Sequence, residues 1–330
     1  MLKHIKRAAL ASVITFTPLT AFAQDKLDVV ASFSIIADLA KNVGGDRVNI
    51  TTLVGPDGDA HVYEPKPADA KAMARADVIL VNGLHFEGFL QRLVDTSGTK
   101  APVVELTQGV APIEMKEEFA EGEEAEKGHD HAEGEAGHDH SHEEAGHAHG
   151  HDHGDTDPHA FQSIANARIY VKNIADAFCG ADKDGCATYQ QNAAAYDAKL
   201  DAAEKDVKET VASIPEAKRT IITSHDAFGY FENAYGITFR APEGISTDAD
   251  PSAADVAKLI EEVRKDKAAA IFVENITNPR LIEQIASETG LKVGGELYSD
   301  ALSGPDGPAS TYLDMMHHNI TTIKGAVSGS

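Results

Sequence analysis

The sequence predicts an α/β protein built of two Rossmann-like lobes with parallel sheets, joined by one long, rigid α-helix. Three observations carry that expectation. Short apolar runs alternate with amphipathic stretches, the alternation comes in two separate blocks, and a segment without Gly or Pro lies between them. Strands that alternate with helices imply parallel pairing, because the crossover helix returns the chain to the same end of the sheet.

In the first block, Leu27 to Phe33, Val48 to Val54, Val78 to Val81 and Val103 to Leu106 read as strands. Ser34 is placed to cap a helix running to about Val43, before Gly44-Gly45, with further helices at Pro67 to Ala76 and Gly88 to Val94. In the second block the strands are Thr220 to Thr223, Ile237 to Phe239, Ala270 to Val273 and Lys292 to Val293. Ala253 to Arg264 and Pro279 to Thr289 are the intervening helices. Thr188 to Ser213 is dense in Ala, Lys, Glu and Asp, with Tyr189, Tyr196, Leu200 and Val207 at helical steps, so it reads as one helix linking the blocks. A surface helix within one lobe is the competing assignment. The expected division is residues 24–187 for the first lobe, 188–213 for the connector and 214–330 for the second lobe.

Residues 1–23 have the form of an export signal. Lys3, Lys6 and Arg7 precede an apolar stretch, Ala8 to Leu19, and the segment closes on Ala21-Phe22-Ala23. The stretch is shorter than the roughly 20 residues that span a bilayer, and no cysteine follows the cleavage point to take a lipid. Removing the segment takes away three basic residues and no acidic ones, so the formal charge moves from −24 to −27. That balance excludes nucleic acid and anionic membrane surfaces as partners and suits the attraction of cations. Cys179 and Cys186 lie seven apart in a turn, and after export they are expected to form a local disulfide.

One segment belongs to neither lobe. Residues 117–155 carry 14 acidic residues against one basic, with Phe119 the sole aromatic, a composition that cannot bury enough apolar surface to offset ordering. Nine histidines stand in it: His129, His131, His138, His140, His142, His147, His149, His151 and His153. Most recur two residues apart, so neighbouring imidazoles can share a cation; imidazole suits Zn²⁺, Cu²⁺ and Ni²⁺ alike. A merely solvating acidic loop is the alternative, and acidity alone does not select His so often.

Outside that segment His is scarce. His61 lies in GDAHVYEP past a predicted strand, His159 in DPHAF at a predicted helix start, and His225 in TSHDAF directly after a strand. Asp300 lies in LYSDAL after the last strand. In open α/β sheets ligands bind beyond the carboxyl ends of the strands, so these four come from loops that could meet in a cleft between lobes. Taken singly, each is more often a structural residue. His85 reads as a surface residue or an auxiliary ligand, Glu64 as a hydrogen-bond partner for the site or an exposed turn residue, and His317 and His318 as structural residues of a C-terminal helix.

The motifs VVASFSIIADLAKNVGGDRV, HVYEPKP, VILVNGLHFEGFL, DPHAFQS, TSHDAFGYF and YSDALSGPDGPASTYLDMMHHN resemble the solute-binding proteins of ABC transporters for zinc and manganese. The likeness is strongest to the zinc-uptake (Znu/Azt-type) members of metal-binding cluster A-I and covers nearly the whole mature chain. The resemblance implies a periplasmic, monomeric, non-enzymatic protein that binds Zn²⁺ and delivers it to an inner-membrane permease, with a periplasmic metallochaperone as a further candidate partner. It makes His61, His159, His225 and Asp300 the metal ligands in the interlobe cleft. Manganese-type members tend to carry a carboxylate where His225 stands, and some zinc-type members lack the final Asp. The competing functions are a secreted zinc-dependent hydrolase, a zinc buffer without a transporter, and Mn²⁺ specificity. No HExxH helix or nucleophile elbow supports the hydrolase.

Overall fold

The computed structural model describes residues 26–114, 156–248 and 251–329. The export signal and the acidic, His-rich segment 117–155, with all nine of its histidines, lie outside the described residues.

Two four-stranded, wholly parallel sheets form the frame. In the first, β1 (Leu27–Phe33), β2 (Val48–Val54), β3 (Val78–Val81) and β4 (Val103–Glu105) lie in the order β2-β1-β3-β4. Val29 faces Ile50 on one side and Val78 on the other. In the second, β5 (Thr220–Ile222), β6 (Thr238–Arg240), β7 (Ala270–Glu274) and β8 (Val293–Leu297) repeat the pattern as β6-β5-β7-β8. Central strands covered on both faces need apolar residues throughout, and β3 is buried at every position. In both sheets the chain steps to one side and then crosses to the other. Each therefore has a switch point, β1/β3 and β5/β7, where loops diverge and leave room for a ligand.

The helices are α1 (Ser34–Gly44), α2 (Pro67–Met73), α3 (Leu90–Ser97), α4 (Ile164–Ala181), α5 (Cys186–Ala212), α6 (Gly229–Tyr235), α7 (Ala253–Asp266), α8 (Arg280–Thr289) and α9 (Tyr312–Ser328). Several differ from the sequence reading for identifiable reasons. Ser34 is the first residue of α1 rather than its cap; Phe33 holds that position without a side-chain bond. The Ser34 hydroxyl oxygen instead accepts the N–H of Leu302 at 2.9 Å, tying the two lobes. Helix α3 starts two residues beyond Gly88 because Gly83, Leu84 and His85 all take left-handed backbone angles, which keep the preceding turn out of helix. Strand β8 runs on through Gly294-Gly295, whose lack of side chains hid it from an apolar-run reading. A Cβ at Gly294 would lie 2.6 Å from Ala326 and 2.7 Å from Phe272, so only glycine lets α9 approach the strand. Helix α4 escaped delineation, although Ile164, Ala167, Tyr170, Val171, Ile174, Ala175 and Phe178 form its buried stripe at helical intervals.

Helix α5 has 27 residues, about 40 Å at 1.5 Å per residue. It buries Tyr189, Tyr196, Leu200, Val207 and Val211 along one face, packing against α1 and α4 of the first lobe and α9 of the second. The main core is continuous from Leu27 to Val327 across both lobes, and a separate cluster around Leu259, Ile271 and Ile282 lies beneath α7 and α8. Cys179 and Cys186 are joined in a disulfide at the α4–α5 turn. There the Arg47 guanidinium pairs with Asp182 at 2.5 Å and the Tyr189 hydroxyl donates to Asp182 at 2.8 Å. Closing so short a loop contributes on the order of 2–3 kcal/mol in the chain-entropy account. Among the described residues no helix is long and apolar enough to cross a membrane.

A connector embedded in a shared core resists hinge motion. Leu200→Ala, at a fully buried position of α5, is expected to destabilise the protein by about 2–5 kcal/mol. Thermal denaturation followed by circular dichroism checks this, and an unchanged midpoint would show that α5 does not lock the lobes.

Candidate metal centre

Four loops at the carboxyl ends of the two sheets meet in the interlobe cleft. His61 stands in the β2–α2 connection, where its N–H donates to Asp59 Oδ1 at 2.8 Å and its ring packs edge-on against Phe86. His159 precedes a single 3₁₀ turn, Ala160–Gln162, that leads into α4. His225 follows β5, and Asp300 follows β8, where Gln162 donates to the preceding carbonyl of Ser299. The imidazole of His61 is 4% exposed, whereas those of His159 and His225 and the Asp300 carboxyl are fully buried.

The structure brings all four sequence-predicted residues together. One donor atom from each lies within 4.8 Å of the others. Asp300 Oδ2 is 3.1 Å from His61 Nε2, 3.1 Å from His225 Nε2 and 3.6 Å from His159 Nε2, while His61 Nε2 and His159 Nε2 are 3.3 Å apart. Donors about 2.0–2.2 Å from a tetrahedral ion stand about 3.3–3.6 Å from one another. These four separations sit at or just inside the edges of such a tetrahedron, and with every donor within 4.8 Å of the others the residues present fit a four-coordinate cation.

Two carboxylates fix the rings from behind. Asp157 Oδ1 accepts both the backbone N–H of His159 and its Nδ1–H, each at 2.8 Å. Glu274, at the end of β7, places Oε2 2.7 Å from His225 Nδ1, and its Oε1 accepts the N–H groups of Ser224 and His225. His159, which gives its Nδ1–H to Asp157, presents Nε2 to a metal with raised basicity, whereas His225 Nδ1 and Glu274 Oε2 meet as a close charged contact without hydrogen-bond geometry. Further back, Glu87 accepts from Ser32 Oγ and the N–H of Asn82, and the Asn82 side chain donates to the carbonyl of Pro158. That chain of bonds ties the DPH turn to the β3 switch point.

Sequence reasoning did not assign Asp157 or Glu274 these roles, although both flank quoted motifs. Glu64, the sequence candidate for this part, is exposed, and Asp157 and Glu274 take it instead. His85 is also exposed, in the left-handed conformation. His318 lies against the Tyr298 ring and the carbonyl of Glu296, and His317 is on the surface beside Asp206.

The buried acidic and basic groups of the cluster shift one another's pKa values. Burial pulls the His159 imidazole down, but Asp300 and Asp157 outweigh it and raise its pKa to about 9. Burial likewise opposes the charged form of His225, yet Glu274 and Asp300 hold it well above the ordinary imidazole value. The Asp300 carboxyl, pushed up by burial, is held well below the usual range by His159 and His225. Burial lowers His61.

A parallel-sheet pair closing on three imidazoles and a carboxylate defines a metal-carrying solute-binding protein. Residues 29–326 match the family described as zinc-uptake complex component A, periplasmic. The manganese ABC transporter substrate-binding lipoprotein ScaA of Streptococcus gordonii is 31% identical over 90% of this chain and 88% of its own length. The iron-named lipoprotein MtsA of Streptococcus pyogenes is 31% identical over 91% and 88%. Among solved structures, the periplasmic zinc-binding protein TroA of Treponema pallidum superposes with a TM-score of 0.76 at 28% identity, covering 92% of this chain and 99% of that one. The chain belongs to the zinc-uptake complex component A family; its members are metal-binding components of ABC transporters and not enzymes.

Two measurements test the centre. Asp157→Asn and Glu274→Gln, which keep shape but weaken the hold on each ring, are each expected to lower metal affinity by about 10- to 100-fold; unaltered affinity would remove that residue from the centre. Because a bound cation must displace the proton on His159, affinity is expected to climb with pH through about 9. That lies above the free-imidazole value of about 6.5. Calorimetry in buffers of different ionisation enthalpy reports the protons released. Absence of release at pH 8 would contradict the raised values.

Proposed function

We propose that the protein captures Zn²⁺ in the periplasm and hands it to the permease of an ABC transporter in the inner membrane. The observation that carries this reading is the donor set: three imidazole nitrogens and one carboxylate oxygen spaced for a tetrahedral ion. Zn²⁺ favours four-coordinate nitrogen-rich sites, while Mn²⁺ favours oxygen donors and higher coordination. Four protein donors also leave no position for a metal-bound water, which argues for carriage and against hydrolysis. His61, His159, His225 and Asp300 are the ligands in this reading, and the segment 117–155 gathers cations through its acidic field and exchangeable imidazoles. The segment 1–23 directs export.

A second reading, Mn²⁺ or Fe²⁺ as cargo, draws on one feature of the site. Asp300 Oδ1 is buried without a hydrogen-bond partner, so the carboxylate has a second oxygen to offer and could expand the coordination. The relatives named for manganese and iron point the same way.

Titration of the purified mature protein with Zn²⁺, Mn²⁺ and Fe²⁺, together with the metal it carries when recovered from cells supplied with all three, decides between them, because Zn²⁺ outbinds Mn²⁺ at most nitrogen–oxygen sites. The expected result is one tight Zn²⁺ per chain with Mn²⁺ and Fe²⁺ bound far more weakly. His225→Ala is expected to weaken Zn²⁺ binding by orders of magnitude, and deletion of 117–155 to leave the tight site while removing weaker ones. Tighter Mn²⁺ than Zn²⁺ would establish the second reading. Wild-type Zn²⁺ affinity in His225→Ala would show that the cleft is not the site.

A further inference from the structure

The three histidines of the centre are not held alike. The rings of His159 and His225 are fixed by buried carboxylates of Asp157 and Glu274. His61 is fixed through its backbone, and the loop that carries it is tied to the opposite lobe. Thr247 Oγ1 donates to Asp59 Oδ2 at 2.6 Å, while the other oxygen of the same carboxylate accepts the N–H of His61. Asn275 Nδ2 donates to Asp57 Oδ1 at 3.1 Å, and the N–H of Asp57 donates to the carbonyl of Leu302 at 2.9 Å. Asp57 has a φ of +54°, a conformation costly for a residue with a side chain, which persists where surrounding bonds enforce it. The same Asn275 amide also lies 3.3 Å from the carbonyl of Ala301, next to Asp300.

We infer that Thr247 and Asn275 are positioning residues for His61, holding its loop against the second lobe so that release of these bonds is the step that frees the bound cation. Resting on the metal-carrier reading, this assigns the moving part of the site. His159, His225 and Asp300 come from fully buried positions, and the shared core opposes separation of the lobes. The His61 loop is attached across the cleft by a few hydrogen bonds and the edge-on contact of its ring with His225, and His61 is the only one of the four with any exposure. Withdrawing it opens the centre with three donors left in place.

The test is the rate at which Zn²⁺ passes from the loaded, full-length mature protein to excess EDTA, followed by stopped flow. Thr247→Val keeps the shape and removes the donor; Asn275→Ala removes the amide. Each is expected to accelerate release about tenfold, the effect of losing one hydrogen bond to a charged group. Association rate, one-to-one stoichiometry and melting temperature should stay close to wild type. Thr247→Ser, which restores the hydroxyl, should return the slow release; a merely structural role would move the melting temperature rather than the release rate. If the wild type retains Zn²⁺ and Thr247→Val and Asn275→Ala release it at the wild-type rate, the positioning role is overturned and the carrier reading stands. If the wild type itself retains no Zn²⁺, both fall.

Discussion

The fold is organised around a carboxylate with no water to solvate it. Asp300 is fully buried, and an isolated buried charge is so costly that it must be neutralised by protons, by opposite charge or by a metal. Three imidazoles supply that environment, from three separate stretches of chain that no local structure could bring together. Parallel sheets can do so because their connecting loops all emerge at one end. Two such sheets set with those ends facing each other give an enclosed cleft whose walls are loops and whose backing is rigid strand. The positions of β5, β7 and β8 follow from this requirement as much as from their own apolar content. β5 delivers His225, β7 ends on the Glu274 that steadies it, and β8 leads to Asp300.

Rigidity of the frame then limits what can move. The buried stripe of α5 belongs to one core with residues from both sheets, and Ser34 and Leu302 add a polar link near the cleft. Opening the lobes as rigid bodies would expose apolar surface along a connector of about 40 Å. Local opening of a loop sacrifices only a few hydrogen bonds, and low-stability segments are where proteins open first. In the proposed reading, a carrier that must bind tightly and still release is served by three ligands on fully buried loops and one, His61, on a loop held across the cleft by a few hydrogen bonds.

How much of this was legible in the sequence follows from the range of each interaction. The central strands β1 and β3 were readable because burial on both faces demands apolar residues, whereas in β8 Gly294-Gly295 serves a close helix contact and breaks the run. The three histidines stood out because His is rare outside the acidic insertion and each followed a strand or preceded a helix, while Asp300 was marked by its place after the last strand and by the family motif around it. The residues that tune them were not readable. Glu64, three positions from His61, looked better placed than Glu274, which is 49 residues from His225 and reaches it only because β5 and β7 are neighbours in the sheet. Ser34 has the right identity for a helix cap, but its oxygen is used across the lobe interface instead. In each case local chemistry was correct and a long-range contact outbid it.

Members of this family are named for zinc, manganese and iron, yet the frame described here contains little that distinguishes one divalent ion from another. Asp300, Asp157 and Glu274 place three carboxylates in or directly behind the centre, a surplus of negative charge that draws in any dication. The choice among ions must come from the atoms that touch the metal, their softness and how many can approach at once. Imidazole at His225 stands where a carboxylate would provide an oxygen donor, and Glu274 lies against the ring's other nitrogen. In the proposed reading the cleft separates two tasks: attraction is spread over the frame, and selection is concentrated in the identity of the few donors that face the ion. Divergence in cargo within one fold then requires change at a few first-contact positions, while the sheets, connector and buried carboxylates can remain as they are.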